Sequence, residues 1–122
     1  MKLRIEGNSI RMRLRKSEIE LFEKNKTVND ALNLGNSIFV YSIEMSKKSE
    51  ITSQLSSQEL KVFIPELLAE KWINSSLVSL ENKFQDCNIL IEKDFKCTSI
   101  SCEESQKNQS DFFENPKQNA SR

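Results

Sequence analysis

The sequence contains no histidine, and this absence excludes several kinds of chemistry. Ser-His-Asp and Cys-His catalysis both need an imidazole as general base, and many metal sites need it as a ligand. The chain also lacks the side chain whose charge changes most readily near neutral pH. These exclusions favour a protein without enzymatic activity.

Glycine and cysteine are scarce as well. Because only two glycines are present, a glycine-rich phosphate-binding loop is excluded. The three cysteines (Cys87, Cys97 and Cys102) contain no CxxC pair, and their spacing does not indicate a zinc site. Unpaired, reduced thiols are typical of a cytosolic protein. We therefore predict no bound metal and no cofactor.

Long apolar runs and an excess of one charge are also missing. No stretch approaches the roughly 18 apolar residues of a membrane helix, and the N-terminus lacks the apolar segment of a secretory signal. Lysine plus arginine and aspartate plus glutamate both number 18, so no overall field attracts the chain to nucleic acid or anionic lipid. We predict a cytoplasmic protein with no membrane partner.

Two short alternations of apolar and polar residues open the chain, KLRIE over 2–6 and SIRMRL over 9–14. Alternation at period 2 is typical of half-buried strands, and Gly7-Asn8 between them suits a tight turn, so a β-hairpin is predicted. A helix-compatible run follows, with Ser17 as its predicted N-cap and Phe22 in its apolar stripe. TVNDALNL is a weak strand, and SIFVYSIEM is a strong one.

The second fifty residues repeat this order. EITSQLSS and ELKVFI are predicted strands, Pro65 is predicted in the first turn of a helix, and two strands follow. An offset of 50 residues places the apolar positions of the two segments in register: Ile10, Met12 and Leu14 on Leu60, Val62 and Ile64, Phe22 on Trp72, and Val28 on Leu77 after a slip of one residue. Self-similarity of this kind indicates duplication, although amphipathic segments can also agree by chance.

The predicted fold is therefore α+β, with antiparallel strands in two similar strand-strand-helix-strand-strand halves. If their similarity reflects duplication, a pseudo-twofold axis relates them. The domain covers residues 1–97. Residues 98–122 form a polar tail whose composition predicts disorder, with Phe112 and Phe113 as a possible docking pair. The predicted core consists of Leu3, Ile5, Ile10, Met12, Leu14, Ile19, Phe22, Ile38, Val40, Val62, Ile64, Leu68, Trp72, Leu77, Ile89 and Ile91.

Two segments carry a resemblance to known proteins. LRIEGNSIRMRL near the start and ILIEKDFKC near the end resemble an uncharacterised family of small bacterial proteins with the patterns R-I-x-G-N-S-I-R-x-R-L and L-I-E-K-D-F-x-C. The resemblance implies a bacterial, cytosolic, single-domain protein and no particular activity. The present chain differs from the family pattern because it continues past Asn115-Pro116.

A second, local resemblance concerns LKVFIPELLAEKWINSSLVSLE. It is similar to the strand-Pro-helix-strand unit of swapped-hairpin transcription regulators, in which two units interlock into one barrel. The resemblance implies that a duplicated chain builds within itself what those regulators build as dimers. NSS stands where the regulators have a glycine and an acidic turn, which weakens the match.

Three arginines lie at period 2 along the second predicted strand and just past its end: Arg11, Arg13 and Arg15. Arg4 lies across the hairpin from them. Such a strip is a candidate site for an anion or for nucleic acid, since each neutralised phosphate adds salt-dependent affinity. Acidic neighbours dilute its field. The alternative is a solvated sheet face with cross-strand ion pairs.

Glu92 and Asp94 are two residues apart, so on a strand both carboxylates lie on one face. Paired carboxylates can hold a divalent cation or act as acid and base, and with the arginines opposite they could form a polyphosphate site. The alternative is that they only form ion pairs with Arg11 and Arg13.

The preferred function is a non-enzymatic binding or interaction module. A DNA-binding regulator of swapped-hairpin type and a phosphate-processing enzyme are the alternatives. The partners remain open: a protein partner or self-association is favoured over nucleic acid, and no catalytic residue is predicted.

Overall fold

The computed structural model describes residues 1–94. Within this range the chain forms eight strands and two helices. In chain order they are β1 (Lys2–Glu6), β2 (Ser9–Leu14), α1 (Lys16–Asn25), β3 (Thr27–Asn33), β4 (Ile38–Ser46), β5 (Thr52–Leu55), β6 (Glu59–Pro65), α2 (Glu66–Ile73), β7 (Ser79–Phe84) and β8 (Cys87–Lys93).

The strands form two four-stranded sheets, and each sheet combines one hairpin from each half of the chain. The first sheet has the order β1-β2-β8-β7, and the second has the order β3-β4-β6-β5. Hairpin neighbours are antiparallel, whereas the central pairs β2/β8 and β4/β6 are parallel. The α+β prediction is confirmed, and its antiparallel strands are joined by one parallel pair in each sheet.

The two halves are related by a pseudo-twofold operation that exchanges the sheets. Replacing β1, β2, β7 and β8 by β5, β6, β3 and β4 converts the order of the first sheet into that of the second. The register follows the same operation: Met12 pairs with Ile91 in the first sheet, and Val62 pairs with Ile43 in the second. The prediction of two similar halves is confirmed.

A single core lies between the sheets and the helices. Met12, Leu14 and Phe22 of the first half and Val62, Ile64 and Trp72 of the second are completely buried, as the alternation at period 2 and the helical stripes predict. Four predicted core residues are wrong. Ile5 is 61% exposed near the end of β1, and Leu77 is 40% exposed in a loop. Ile38 and Val40 lie on the face of β4 opposite the buried Ile43. The prediction missed others: Met1, Val28, Ile43, Ile51, Leu60, Ala69 and Leu80 are all buried.

The helix boundaries differ from prediction at both N-termini. Helix α1 already includes Ser17, so its predicted N-cap is wrong; Arg15 is the N-cap, and its backbone N–H donates to the carboxylate of Glu18 at 2.8 Å. Pro65 ends β6 and serves as the N-cap of α2, one position earlier than predicted. The absence of a backbone N–H makes proline acceptable at either position.

The slip between the two halves lies after the helices and is larger than predicted. Val28 pairs with Ile43, and Leu80 pairs with Ile91, so Leu80 is the counterpart of Val28. The proposed counterpart Leu77 instead lies in the loop between α2 and β7. The second half has a longer connection at this point, and a single-residue slip cannot account for it.

Helix α1 packs against β2 and β3, helix α2 packs against β4 and β6, and the two helices contact each other. Trp72 donates its indole N–H to the carbonyl of Val78 at 3.0 Å, which ties α2 to the following loop. Lys26 pairs with Glu66 at 3.2 Å between the end of α1 and the start of α2. The predicted tail over residues 98–122 lies outside the described residues. The same holds for Cys97, Cys102, Phe112 and Phe113.

Candidate functional site

The outer face of the first sheet carries four cationic side chains in a square, which we call the cationic face: Lys2, Arg4, Arg11 and Arg13. In the antiparallel register of β1 and β2, Arg4 lies directly opposite Arg11, and Lys2 lies opposite Arg13. The alternate residues of β2 (Ile10, Met12 and Leu14) are buried, so these cations point away from the core. The hairpin thus holds two like-charged cross-strand pairs side by side.

One carboxylate serves both arginines of β2. Oε1 of Glu92 on the neighbouring strand β8 lies 2.5 Å from Nε of Arg13 and 3.4 Å from Nε of Arg11. Glu92 is opposite Arg13 in the parallel register, and its side chain is only 17% exposed. A single negative charge shared between two guanidinium groups leaves one positive charge uncompensated at this point.

The other predicted site residues have separate partners. Asp94 contacts Nζ of Lys2 at 3.1 Å and so neutralises a different corner of the cationic face. Among residues 1–94, Arg4 has only the exposed Glu6 within range, at 3.6 Å. Arg15 leaves the strip, because it caps α1 and its guanidinium contacts Glu18 at 3.4 Å. The structure brings Arg4, Arg11 and Arg13 together with Glu92 and Asp94, but not Arg15.

A shallow depression of about 860 Å³ lies beside the cationic face. Its cationic lining comes from Arg4, Arg11 and Lys83, and its anionic lining comes from Glu6 and Glu81. Leu90 on β8 is also among the lining residues, between the buried residues Ile89 and Ile91. The depression therefore offers charges of both signs around an apolar patch and is open to solvent.

The second sheet provides an internal comparison. Lys61 is the counterpart of Arg11, and it pairs with Glu44, the counterpart of Glu92, at 3.2 Å. The positions that correspond to Lys2, Arg4 and Arg13 hold uncharged residues: Thr52, Gln54 and Phe63. The ion pair next to the central parallel strands is common to both sheets, whereas the like-charged pairs occur only in the first.

An ionic cluster that the sequence analysis missed surrounds the N-terminal ammonium group. The ammonium of Met1 donates to Glu18 and, at 3.1 Å, to Asp30, and the Tyr41 hydroxyl donates to the Met1 carbonyl at 3.1 Å. Burial opposes ionisation of Glu18, but hydrogen bonds from the ammonium and from Arg15 outweigh it, so the pKa of Glu18 lies below its ordinary value.

The same cluster shifts two further groups. The backbone N–H of Ala31 and the Met1 ammonium lower the pKa of Asp30. Burial, together with the negative charges of Asp30 and Glu18, raises the pKa of Tyr41. Met1 corresponds to Ile51 in the other half, where Asn82 donates to the Ile51 carbonyl at 2.7 Å. The Met1 cluster therefore stands where the other half has the hydrogen bond from Asn82 to the Ile51 carbonyl. From the sequence, only the comparison of the two halves could have indicated this cluster.

Within residues 1–94, no group of three or more acidic or cysteine side chains is close enough to hold a metal ion. Neither of the two described helices is long and apolar enough to cross a membrane. What the cationic face can do chemically is to bind carboxylate or phosphate oxygens by charge-assisted hydrogen bonds.

Comparison with known proteins gives a family but no activity. A family model described as "Family of unknown function (DUF7009)" matches residues 1–117, which agrees with the resemblance to an uncharacterised family. No curated protein and no solved structure matches the chain.

Proposed function

We propose that this chain, which belongs to the DUF7009 family of unknown function, is a non-enzymatic binding module. Its cationic face binds an acidic segment of another protein. The observation that carries the proposal is the pair of like-charged contacts, Lys2 opposite Arg13 and Arg4 opposite Arg11. As the motif resemblance implies, we place this role in the cytoplasm of a bacterium.

Like charges directly opposite each other on neighbouring strands destabilise a sheet by a few tenths of a kcal/mol to about 1 kcal/mol. The fold does not require them, because uncharged residues occupy three of the four corresponding positions in the second sheet. Glu92 is shared between Arg11 and Arg13, Asp94 pairs with Lys2, and the exposed Glu6 lies 3.6 Å from Arg4. Three carboxylates therefore face four cations and offset only part of the repulsion. An anionic ligand would remove the rest, which is a physical reason for a binding role.

The composition of the depression favours a protein ligand over nucleic acid. Glu6 and Glu81 line it beside Arg4 and Arg11, and these carboxylates would repel the closely spaced phosphates of a duplex. A protein segment can place carboxylates against the arginines, a basic side chain near Glu81 and an apolar side chain on Leu90. Mixed charges around an apolar centre are typical of protein interfaces.

The test measures fluorescence anisotropy of a labelled ten-residue peptide of alternating glutamate and serine with the full chain at 50 mM salt. Removing two exposed charge-assisted contacts in Arg4→Gln/Arg11→Gln should weaken binding about three- to tenfold. Lys61→Gln is the matched control, because it removes one cation from the position on the second sheet that corresponds to Arg11. We expect it to leave the affinity unchanged.

Two results would count against the proposal. Absence of peptide binding at 50 mM salt, or equal weakening by Lys61→Gln, would remove the cationic face as a peptide site. Tighter binding of a 20-base-pair duplex, with a salt dependence that Arg4→Gln/Arg11→Gln reduces, would replace the protein ligand by nucleic acid and favour a DNA-binding regulator.

A further inference from the structure

A second concave surface lies on the opposite sheet, where β4 and β6 end and α2 begins. It has a volume of about 590 Å³ and is lined by Pro65, Leu67, Leu68, Lys47 and Lys48, together with neighbouring backbone. Leu67 in the first turn of α2 is 82% exposed, more than any other large apolar side chain of residues 1–94. We call this surface the α2 pocket.

The charges around the α2 pocket are cationic. Neither Lys47 nor Lys48 forms an ion pair within the part of the chain that the structure describes. Glu66 is the acidic residue among the lining side chains, and it already pairs with Lys26 at 3.2 Å. A ligand for this pocket would therefore combine apolar side chains for Leu67 and Pro65 with carboxylates for the two lysines.

One segment of the same chain has this composition. Residues 111–114 read Asp-Phe-Phe-Glu: two adjacent aromatic residues with an acidic residue on each side. The family match extends to residue 117 and so includes this segment. We propose that Asp111, Phe112, Phe113 and Glu114 bind in the α2 pocket of the same molecule. The proposal is independent of the role of the cationic face.

The length of the connection permits this binding. A chain of 94 residues packs into a domain with a radius of gyration of about 12 Å, hence a diameter of roughly 30 Å. The connection from Asp94 to Asp111 is about 17 residues. At about 3.3 Å per residue it reaches up to about 55 Å, so every point on the surface is accessible.

Intramolecular binding also relaxes the affinity that is needed. A short tether gives an effective concentration on the order of 1 mM. An intrinsic dissociation constant near 0.3 mM, which two aromatic rings and two exposed ion pairs can supply, would then leave the segment bound about three-quarters of the time.

The test is the rate at which chymotrypsin cleaves the full chain after Phe112 and Phe113. Because the protease cuts only the unbound segment, Leu67→Ser should raise this rate about fourfold, and Lys47→Gln/Lys48→Gln should raise it at least twofold. Leu55→Ser replaces another exposed leucine, on β5, and Arg11→Gln changes the cationic face; we expect neither to alter the rate. Both replaced leucines are exposed, so the variants are expected to fold.

Equal cleavage rates for the unmodified chain, Leu67→Ser and Lys47→Gln/Lys48→Gln would overturn the proposal. Faster cleavage in Arg11→Gln, with none in Leu67→Ser, would also overturn it by assigning the segment to the cationic face. Protection that increases with protein concentration would assign the segment to a second molecule and would reject binding within one chain.

Discussion

Phe22 and Trp72 occupy corresponding positions in the two halves, and both side chains are completely buried. Each lies on the helix that connects the two hairpins of its half, and those hairpins belong to different sheets. The two aromatic residues therefore fill the core where both sheets and both helices meet. Their removal should affect the whole domain rather than one element.

We expect Trp72→Ala to lower the free energy of unfolding by about 3–5 kcal/mol, because it leaves a cavity and removes the hydrogen bond to Val78. Urea denaturation followed by circular dichroism measures the change. Lys71→Ala on the same helix is the matched control, and since Lys71 is exposed its effect should stay within about 0.5 kcal/mol. A loss below about 1 kcal/mol for Trp72→Ala would contradict the assigned orientation of α2.

The ionic cluster around Met1 predicts a loss of stability in acid. The pKa values of Glu18 and Asp30 are lower in the folded chain than their ordinary values of 4.5 and 3.8. Their stabilising effect is therefore complete above those ordinary values and is lost as the pH falls through the lowered ones. The free energy of unfolding, measured in urea at pH 7, 5, 4 and 3, should decrease over the last two steps.

Glu18→Gln should reduce this acid-dependent loss, because glutamine has no proton to gain. Glu20→Gln on an exposed position of the same helix removes the same charge and should leave the pH dependence nearly unchanged. If both variants lose the same stability between pH 5 and pH 3, the Met1 ammonium does not stabilise Glu18.

Asn82 should be important for the contact between the two sheets. It donates to the Ile51 carbonyl at 2.7 Å and to Glu50 at 3.1 Å, linking β7 to the residues just before β5. Asn82→Ala should cost about 1–2 kcal/mol, since it removes a hydrogen bond to a partly buried carbonyl. Asn29→Ala, at an exposed position of β3, should change the free energy of unfolding by less than 0.5 kcal/mol. Equal effects would assign Asn82 no special role.

Sequence patterns predicted the elements well because burial follows period 2 in the strands. Met12, Leu14, Val62 and Ile64 are buried as the alternation required. Ile5 satisfies the same alternation but lies near the end of β1, where it is exposed. In β4 the prediction chose the wrong face: Ile38 lies on the side opposite the buried Ile43, because apolar side chains occupy both faces of this strand and alternation cannot choose between them. Where only one face is apolar, alternation identifies the inward face of a strand, but it does not determine how far along the strand the core extends.

The candidate site was predicted less completely. The spacing of Arg11 and Arg13 placed both on one face, and the turn at Gly7, where φ is +53°, placed Arg4 opposite. Arg15 continues the spacing, but the strand ends at Leu14, so it belongs to α1 instead. Glu92 was a candidate partner of these arginines, and it lies next to them because β2 pairs in parallel with β8. The Met1 cluster depends on long-range contacts, and no local pattern encodes them.

The exchange of hairpins between the sheets leads to the last prediction. The hairpin β1/β2 pairs with β8, and β3/β4 pairs with β6, so neither half completes a sheet by itself. A half of some 50 residues also buries too little apolar surface to offset its chain entropy. We therefore expect fragments 1–48 and 49–122 to be unfolded when separate and to form the domain when mixed in equal amounts. Circular dichroism of the fragments and of the mixture measures this. Cooperative unfolding of either fragment as a monomer would contradict it, because a stable half would mean that the sheets do not depend on the exchange.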